Sequence, residues 1–445
     1  MPRVVDRLLV LLLCAVIHGA LGCEAAAPES DAVPAPPEKS DSPLDLGYEV
    51  TGVKAWYLVG DGLTPGQDAL TVKVRPVAAS PHTIRLWLDG GDPTTLTKAG
   101  TSFTATVDLA ALGIGEHEVL LAADSSATAF ARLTFRRSYP FYVVVSNDWD
   151  DPDNPDANLA RQQALHDRHS ALKLTHFVGP YTFTDPSVTA ARARDLAQLV
   201  TALRDDYGDE IGLHIHPYCS FVEQTSVPCR TSPSYSEPVS DATGYTVSLA
   251  AYAETEMTAL LAEAVAIFEA QGLGRPTSFR AGGWTAQIHT LRALAGAGFV
   301  VDASGCNWSR LEEWEGVAGT SLYDWVRANW ATIDDTTQPY YPSADDMLAS
   351  IPPQLAILEV PDNGILADYV TADEMIAILR ENWDGSPLTE PRTLSIGYHP
   401  PSLSQAYFAR IDGALTHIDG LLAQDDRGPI SYTTMSALPL VWRAP

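Results

Sequence analysis

FYVVVSND, residues 141–148, is the first of seven apolar, β-prone runs in the second two thirds of this chain. Helical stretches, for example at 188–204, 252–270, 288–297 and 372–382, alternate with them. Such alternation predicts parallel strands with helices outside, and about seven units favour a barrel over an open sheet. We expect an α/β fold with a distorted, seven-stranded (β/α) barrel over 139–445. The six other runs are ALKLTHFV (171–178), EIGLHIH (210–216), TSFRAG (277–282), GFVVDAS (298–304), QLAILEV (354–360) and TLSIGYH (393–399).

The sequence before the predicted barrel has a different hydrophobic pattern. Short alternating runs such as ALTVKVRPV and SFTATVDL are separated by turn residues at roughly ten-residue intervals, which predicts a small antiparallel β-sandwich over 47–138. We expect it to be immunoglobulin-like. Two interpretations stay open, a spacer or a carbohydrate-binding module, because a fold does not confer a function.

The N-terminus has the anatomy of an export signal. Arg3 and Arg7 precede an apolar run at 8–17 that is too short to span a bilayer as a mature helix. The exit Ala-Leu-Gly-Cys23 resembles a bacterial lipobox, so we expect a signal peptide at 1–22, acylation of Cys23, and a Pro-, Ala- and Ser-rich linker at 23–46. Membrane contact would then come through this lipid anchor alone. An ordinary secretory signal and a retained anchor are the alternatives.

The net charge limits the classes of binding partner, and the predicted export determines how the cysteines are interpreted. The formal net charge of −28 opposes binding to nucleic acid or to anionic lipid. Export permits disulfides. Cys219 and Cys229 flank one short stretch and are expected to pair, which leaves Cys306 as a buried free thiol.

Acidic and imidazole side chains follow the first and third barrel runs. Asp148 and Asp150 share one side of an extended chain, so one can act as a base and the other as a metal ligand. His214 and His216 have the same spacing and can reach one ion. One Asp and two His with an open position suit a catalytic metal, Zn²⁺ first. The competing interpretation is a solvated, acidic loop.

Two glycines follow the fourth run. Gly282 and Gly283 allow the backbone to approach a ligand closely, so the amide of Gly283 or Trp284 could donate to an oxyanion.

Five segments resemble, in order, the motifs of the polysaccharide deacetylases, which are metal-dependent carbohydrate esterases. The resemblance covers roughly residues 140–438 and implies a deacetylase-type (β/α) barrel. The segments are SNDWDD (146–151), GLHIHPY (212–218), SFRAGGW (278–284), VVDASG (300–305) and IGYHP (396–400).

The resemblance also implies roles. Asp148 would be the general base and Asp150 a ligand, while Arg280 would pair with the base. Asp302 would support the site and orient the acidic histidine, which would be His399. A structural arginine and a turn aspartate are the plain alternatives for Arg280 and Asp302.

The second motif departs from the family pattern. The family spaces its two histidines by four, but the residue four after His214 is Tyr218. Either His216 replaces the missing ligand, or only one of the two histidines binds the metal. Glu359 and Asp362 follow the sixth run and can face the same pocket, without a role that the sequence defines.

These features predict an enzyme of the cell envelope that removes acetyl groups from a polysaccharide or other glycan. The first alternative is a surface lipoprotein that binds glycans on a deacetylase-like barrel without turnover. Another metal-dependent hydrolase, such as a phosphoesterase, is a further alternative. The aromatic-rich segment at 307–353 is either a platform for sugars or part of the core.

Overall fold

The computed structural model describes residues 47–124, 126, 129–236, 240–314 and 321–443. The predicted signal peptide at 1–22, the acylation site Cys23 and the linker at 23–46 lie outside the described residues. Among the residues that are described, no helix is both long and apolar enough to cross a membrane.

Two sheets form the N-terminal region. In β3 every second side chain is buried, with Leu70, Val72 and Val74 fully inside, as strict alternation requires of a half-buried strand. The sheet orders are β1-β3-β7-β6 and β2-β9-β8-β4-β5, antiparallel except for the β2/β9 pair, which confirms the predicted antiparallel sheets. The strands are β1 (Tyr48–Thr51), β2 (Trp56–Leu58), β3 (Ala69–Pro76), β4 (Ile84–Leu88), β5 (Thr94–Thr95), β6 (Thr97–Ala99), β7 (Ser102–Asp108), β8 (Gly115–Ala123) and β9 (Ala131–Ser138).

A parallel sheet follows, in the order β15-β14-β13-β12-β11-β10-β16, with β17 beside the start of β10. Backbone bonds from Gly364 N to Ser395 O (2.8 Å) and from Gly397 N to Ile365 O (3.1 Å) link the segment after β15 to β16. The two edges of the sheet are thereby joined, and the predicted distorted (β/α) barrel is confirmed. Its strands are β10 (Phe141–Asp148), β11 (Leu174–Val178), β12 (Glu210–Ile215), β13 (Ser278–Ala281), β14 (Val301–Asp302), β15 (Leu358–Glu359), β16 (Arg392–Tyr398) and β17 (Ile430–Thr433).

The helices have the expected apolar stripes. In α2 the buried residues recur at helical spacing, the Thr189 side chain accepts from the Arg192 amide at the N-terminus, and Gly208 ends the helix with φ 75°. The four helical stretches predicted from the sequence correspond to α2, α4, α5 and α7. The helices are α1 (Asp156–Arg168), α2 (Ala190–Tyr207), α3 (Cys219–Val222), α4 (Glu254–Ala270), α5 (Ile288–Gly296), α6 (Leu322–Asn329), α7 (Ala372–Asn382) and α8 (Gln405–Asp419).

The β-sandwich contacts the end of the barrel at which the parallel strands begin. Tyr142, near the start of β10, donates its hydroxyl to Asp61 of the sandwich (2.7 Å to Oδ2), and the Asp426 carboxylate accepts from the Ala55 and Trp56 amides (2.8 and 2.9 Å). All the motif residues singled out from the sequence lie at or just beyond the opposite, carboxyl ends of the strands, where (β/α) barrels assemble active sites.

Candidate metal centre

β10 delivers two carboxylates to the carboxyl end of the barrel. Asp148, its last residue, is buried, and its Oδ1 accepts from Nη1 of Arg280 at 2.9 Å. Trp149 turns away and is fully buried, which leaves the partly buried Asp150 on the same side as Asp148. The predicted alternation of side chains between the two sides of the chain therefore continues for two residues beyond β10, to Asp150.

Both histidines of the second motif reach Asp150. Nε2 of His214 lies 3.0 Å, and Nε2 of His216 lies 3.4 Å, from Asp150 Oδ1. One ligand atom from each of these three residues can be chosen so that all lie within 4.8 Å of one another. The structure thus brings His216 beside His214 at Asp150, while Tyr218 is buried against Tyr181 and Tyr245.

The tautomers of these histidines indicate a cation. Nδ1 of His214 donates to the Arg280 carbonyl (2.9 Å), and Nδ1 of His216 donates to the Tyr245 carbonyl (3.0 Å). A carbonyl can only accept, so Nδ1 carries the proton in both rings, and both Nε2 atoms, which are the ones placed to bind a metal, face the Asp150 carboxylate. His216 Nε2 is buried, and no described residue forms a hydrogen bond with it. Two imidazole nitrogens and a carboxylate oxygen that converge in this way are a donor set that fits a divalent metal.

Electrostatics at Asp150 agree with that fit. Burial raises its pKa, but the imidazoles of His399, His216 and His214 outweigh burial and hold the pKa well below the usual range. Its second oxygen accepts from the hydroxyl of Tyr245 at 3.2 Å. Asp150 is therefore an anion that already has a fixed orientation.

Arg280 holds Asp148 in place from beneath. The guanidinium is fully buried over the Phe177 ring and donates to Asp148, to Ser146 Oγ (2.8 Å) and to the Ala303 carbonyl (3.0 Å). Its Nη2 lies 3.6 Å from Asp362 Oδ2. The predicted pairing of Arg280 with Asp148 is therefore present.

His399 stands on the other side of Asp150, with Nε2 3.6 Å from Asp150 Oδ2. Its Nδ1 lies 3.1 Å from Asp368 Oδ2, and its amide donates to the same carboxylate (3.2 Å). Burial lowers the pKa of His399, but Asp150 and Asp368 outweigh it and raise the pKa to about 10. The imidazole is thereby kept as a proton donor.

The residue that orients His399 is thus Asp368, and the prediction of Asp302 for that role is corrected. Asp302 accepts from Ser304 Oγ (2.7 Å), whose oxygen in turn accepts from the Ala281 amide (2.9 Å). Through Ser304, Asp302 therefore links β14 to β13 next to Arg280 and helps to fix the position of that arginine. The physical reason is that Asp368, from the segment after β15, lies beside Nδ1 of His399.

Glu359 and Asp362 also lie below the pocket. Burial raises the pKa of Asp302 to about 6, and burial together with the Asp302 carboxylate raises that of Glu359 well above its usual range. The pair therefore carries a shared proton. Asp362 accepts from Trp284 Nε1 (3.2 Å) and faces Arg280; burial raises the pKa of Asp362 by more than the guanidinium lowers it.

Gly282, Gly283 and Trp284 form one tight turn beside the ligands. A Cβ at Gly282 would lie 2.5 Å from the His216 ring, so only glycine permits this approach. Gly283 (φ 57°) and Trp284 (φ 54°) are both left-handed. For Trp284 this conformation is strained, and it is held by the Trp330 indole, which donates to the Trp284 carbonyl (2.8 Å). Both residues line the cavity, where an oxyanion would lie.

Several residues at the site carried no signal in the sequence. Asp368 and Tyr369 come from the chain that joins the sheet edges, and Tyr235 and Tyr245 come from the irregular connection between β12 and α4. Their tertiary positions depend on loop paths, which periodicity does not encode. The predicted Cys219–Cys229 disulfide and the buried free Cys306 are confirmed.

The aromatic segment at 307–353 packs largely into the protein. Trp330 is fully buried, and the hydroxyls of Tyr340 and Tyr341 donate to the carbonyls of Met347 and Trp442 (both 2.8 Å). From this segment Leu322 lines the cavity. Core packing therefore accounts for Trp330, whereas Trp308, Trp325, Tyr340 and Tyr341 are partly buried.

No protein-family model matches the chain, and no curated protein matches it. It is similar to a family 4 carbohydrate esterase from Streptomyces lividans (12% identity, 63% of this chain, 90% of that chain, TM-score 0.30). It is similar to a family 4 acetyl xylan esterase from Clostridium thermocellum (14%, 68%, 93%, TM-score 0.31). A 4-alpha-glucanotransferase from Thermococcus litoralis is also similar (10%, 68%, 40%, TM-score 0.38). One fold can host many chemistries, so the activity has to be inferred from the site itself.

Proposed function

We propose that this chain is a metal-dependent hydrolase that removes acetyl groups from a glycan outside the cytoplasm. The observation that carries the proposal is the arrangement around Asp150. A carboxylate paired with a buried arginine lies on one side of a three-residue metal site, and a histidine paired with a carboxylate lies on the other. A base and an acid that flank a metal site are what hydrolysis of an amide or ester requires.

Each residue then has one task. A divalent ion, Zn²⁺ by its ligand set, held by Asp150, His214 and His216 would polarise the acetyl carbonyl and acidify the attacking water. Asp148 takes a proton from that water as the new C–O bond forms, and Arg280 keeps its carboxylate ionised and oriented.

The same geometry supplies the oxyanion donor and the acid. The amide of Gly283 or Trp284 donates to the developing oxyanion. His399 gives its proton to the leaving nitrogen or oxygen as the bond to the acetyl carbon breaks, and Asp368 stabilises the imidazolium before that transfer. The products are acetate and the free amine or hydroxyl of the sugar.

The lining of the cavity favours this chemistry over phosphoester hydrolysis. No Lys or Arg is among the described residues that line it, and the chain is strongly acidic. A phosphoryl group is typically bound by arginine or lysine side chains, whereas an acetylated sugar is neutral and matches hydroxyls and aromatic faces.

The remaining parts of the proposal concern location. We propose that the chain is exported, anchored at the cell envelope through acylated Cys23, and spaced from the membrane by the linker at 23–46 and the immunoglobulin-like domain at 47–138. The Cys219–Cys229 disulfide supports an oxidising compartment, because such bonds persist mainly outside the cytosol. The sandwich supplies no residue to the cavity, which supports a spacer role for it.

Replacing Asp148 with Asn tests the activity. The change preserves shape and removes basicity, so we expect metal content and glycan binding to stay while acetate release falls about a hundredfold or more. Asp151→Asn, an exposed neighbour in the same loop, is the matched control and should keep the activity.

The contrary outcome would favour the binding lipoprotein. If metal-loaded wild type binds acetylated glycans, releases no acetate across a broad panel, and cannot be distinguished from Asp148→Asn, the hydrolase proposal fails.

A further inference from the structure

Tyr245, which has no task in the proposed mechanism, contacts two of the three metal-site residues. Its hydroxyl donates to Asp150 Oδ2 at 3.2 Å, and its main-chain carbonyl accepts from His216 Nδ1 at 3.0 Å. Its ring packs on the His216 imidazole, with ring centroids 4.4 Å apart. The hydroxyl, the ring and the carbonyl of one residue therefore all reach the candidate metal centre.

The Tyr245 hydroxyl helps to fix the orientation of the Asp150 carboxylate. A phenol donates at neutral pH and an ionised carboxylate only accepts, so this hydrogen bond occupies Oδ2. Oδ1 is the oxygen that lies 3.0 Å from His214 Nε2 and 3.4 Å from His216 Nε2. The carboxylate is thus held with one oxygen turned toward both imidazoles.

The Tyr245 carbonyl fixes the imidazole of His216. Because a carbonyl can only accept, it keeps the proton on Nδ1 and leaves Nε2 on the side of the carboxylate. The Tyr235 hydroxyl lies 3.4 Å from the same Nδ1, but the carbonyl oxygen at 3.0 Å has the better hydrogen-bond distance. In His214 the corresponding bond goes to the carbonyl of Arg280 in β13 (2.9 Å). His214 is therefore oriented by the sheet, whereas His216 is oriented by a loop.

A short turn, residues 241–246, holds Tyr245 in this position. The Asp241 carboxylate accepts from the amide and from the hydroxyl of Thr243 (2.8 and 2.7 Å). The Thr243 carbonyl accepts from the amide of Cys219 (2.7 Å), whose side chain forms the disulfide. Tyr245 is thus fixed by its own turn and by the disulfide-closed loop beside it.

Gly244 brings this turn against the chain that carries His216. Gly244 has φ 81°, and a Cβ placed on it would lie 2.4 Å from the carbonyl oxygen of Pro217, the residue after His216. Only glycine combines this backbone conformation with so close an approach. The residue before Tyr245 therefore packs directly on the backbone next to the ligand.

We propose that Tyr245 is a positioning residue of the metal centre, holding Asp150 through its hydroxyl and His216 through its carbonyl and ring. The inference rests on the metal site of the proposed function and adds the residue that orients two of its ligands. Groups that hold metal ligands in place typically contribute about 10- to 100-fold to metal affinity or activity. A tyrosine with only a structural role would stabilise the fold and leave the metal affinity of the folded chain unchanged.

The test measures the Zn²⁺ affinity of the purified soluble chain by competition with a chromophoric chelator. Tyr245→Phe removes only the hydrogen bond to Asp150, so we expect Zn²⁺ to bind about tenfold more weakly. Tyr245→Ala also removes the ring that packs on His216, so we expect a larger loss, up to about 100-fold. Tyr252→Phe is the matched control, because its hydroxyl accepts from the Arg230 amide (3.0 Å) in the same connection between β12 and α4. This control should bind Zn²⁺ as wild type does.

Denaturant unfolding of the metal-free chains separates positioning from stability. Unchanged Zn²⁺ affinity in both Tyr245 variants, with any loss confined to the unfolding free energy, would overturn the inference and leave the metal site standing. An equal loss of affinity in Tyr252→Phe would also overturn it, because the effect would then come from general loosening of the loop. If Tyr245→Ala does not fold, Tyr245→Phe alone decides the outcome. If wild type binds no Zn²⁺, the proposed function fails and the inference fails with it.

Discussion

Replacing Arg280 with Met removes the cation from the centre of the barrel while keeping much of the side chain's volume. Arg280 and Asp362 are fully buried, and 3% of the Asp148 side chain is exposed. Without the guanidinium both carboxylates lose their cation, and the Ala303 carbonyl loses the 3.0 Å bond that it accepts. The contact with the Phe177 ring, at 4.8 Å, also loses its charge.

The size of the effect follows from burial. Breaking a buried ion pair by removing one partner costs about 3–5 kcal/mol, because the remaining charge is uncompensated. Whole domains are stable by only about 5–15 kcal/mol, so Arg280→Met should remain folded with much of its stability lost. Part of the loss should return when Asp362→Asn is added, because one of the two unpaired charges is then gone.

The assay is denaturant unfolding of the soluble chain, followed by circular dichroism with the disulfide intact. Arg275→Met is the control, since Arg275 is exposed and such substitutions usually change stability by no more than about 0.5 kcal/mol. A loss below about 1 kcal/mol in Arg280→Met, or a further loss on adding Asp362→Asn, would refute the view that Arg280 is the cation that compensates these two carboxylates.

Two further predictions concern pH. Asp368→Asn removes a carboxylate that raises the pKa of His399, so the pKa of His399 should fall. The alkaline limb of the kcat/KM profile should then move to lower pH. An unmoved limb would show that Asp368 does not act on the general acid. Asp209, buried between His166 and His176, has its pKa raised by burial but lowered more by the two imidazoles, to about 2. Its unfolded value is about 3.9, so it stabilises the fold above that pH and the stabilisation is lost as pH falls through about 2. Unfolding free energies measured from pH 5 to pH 2 should fall more steeply in wild type than in Asp209→Asn, and equal slopes would contradict this.

The barrel could be predicted from the sequence because its signals are local. Each strand is an apolar run, and α7 begins and ends at the residues expected from its pattern, Ala372–Asn382. Asp148, Asp150, His214 and His216 could be found because strand alternation alone puts each pair on one side. The resemblance to the deacetylases added Arg280 and His399, which the structure brings to the same site.

Asp368 could not be predicted, because its contact with His399 depends on how the sheet closes. The segment after β15 joins β16 through a bridge between Leu366 and Gly397, and this pairing places Asp368 beside the imidazole. Nothing in the spacing of Asp302 and His399 reveals that a later segment intervenes. Tyr235 and Tyr245 were missed for a related reason, since an irregular loop held by a disulfide and side-chain bonds has no period to detect.

The central claim is that Asp150, His214 and His216 hold one divalent metal ion, and elemental analysis of the purified soluble chain tests it most directly. We predict about one equivalent of a divalent ion in wild type and its loss in both His214→Ala and His216→Ala, since a three-residue site that loses a ligand retains too few donors. His82→Ala, on the exposed surface of the sandwich, should keep full occupancy. Loss in His214→Ala alone would remove His216 from the ligand set, and full occupancy in both variants would contradict the metal centre itself.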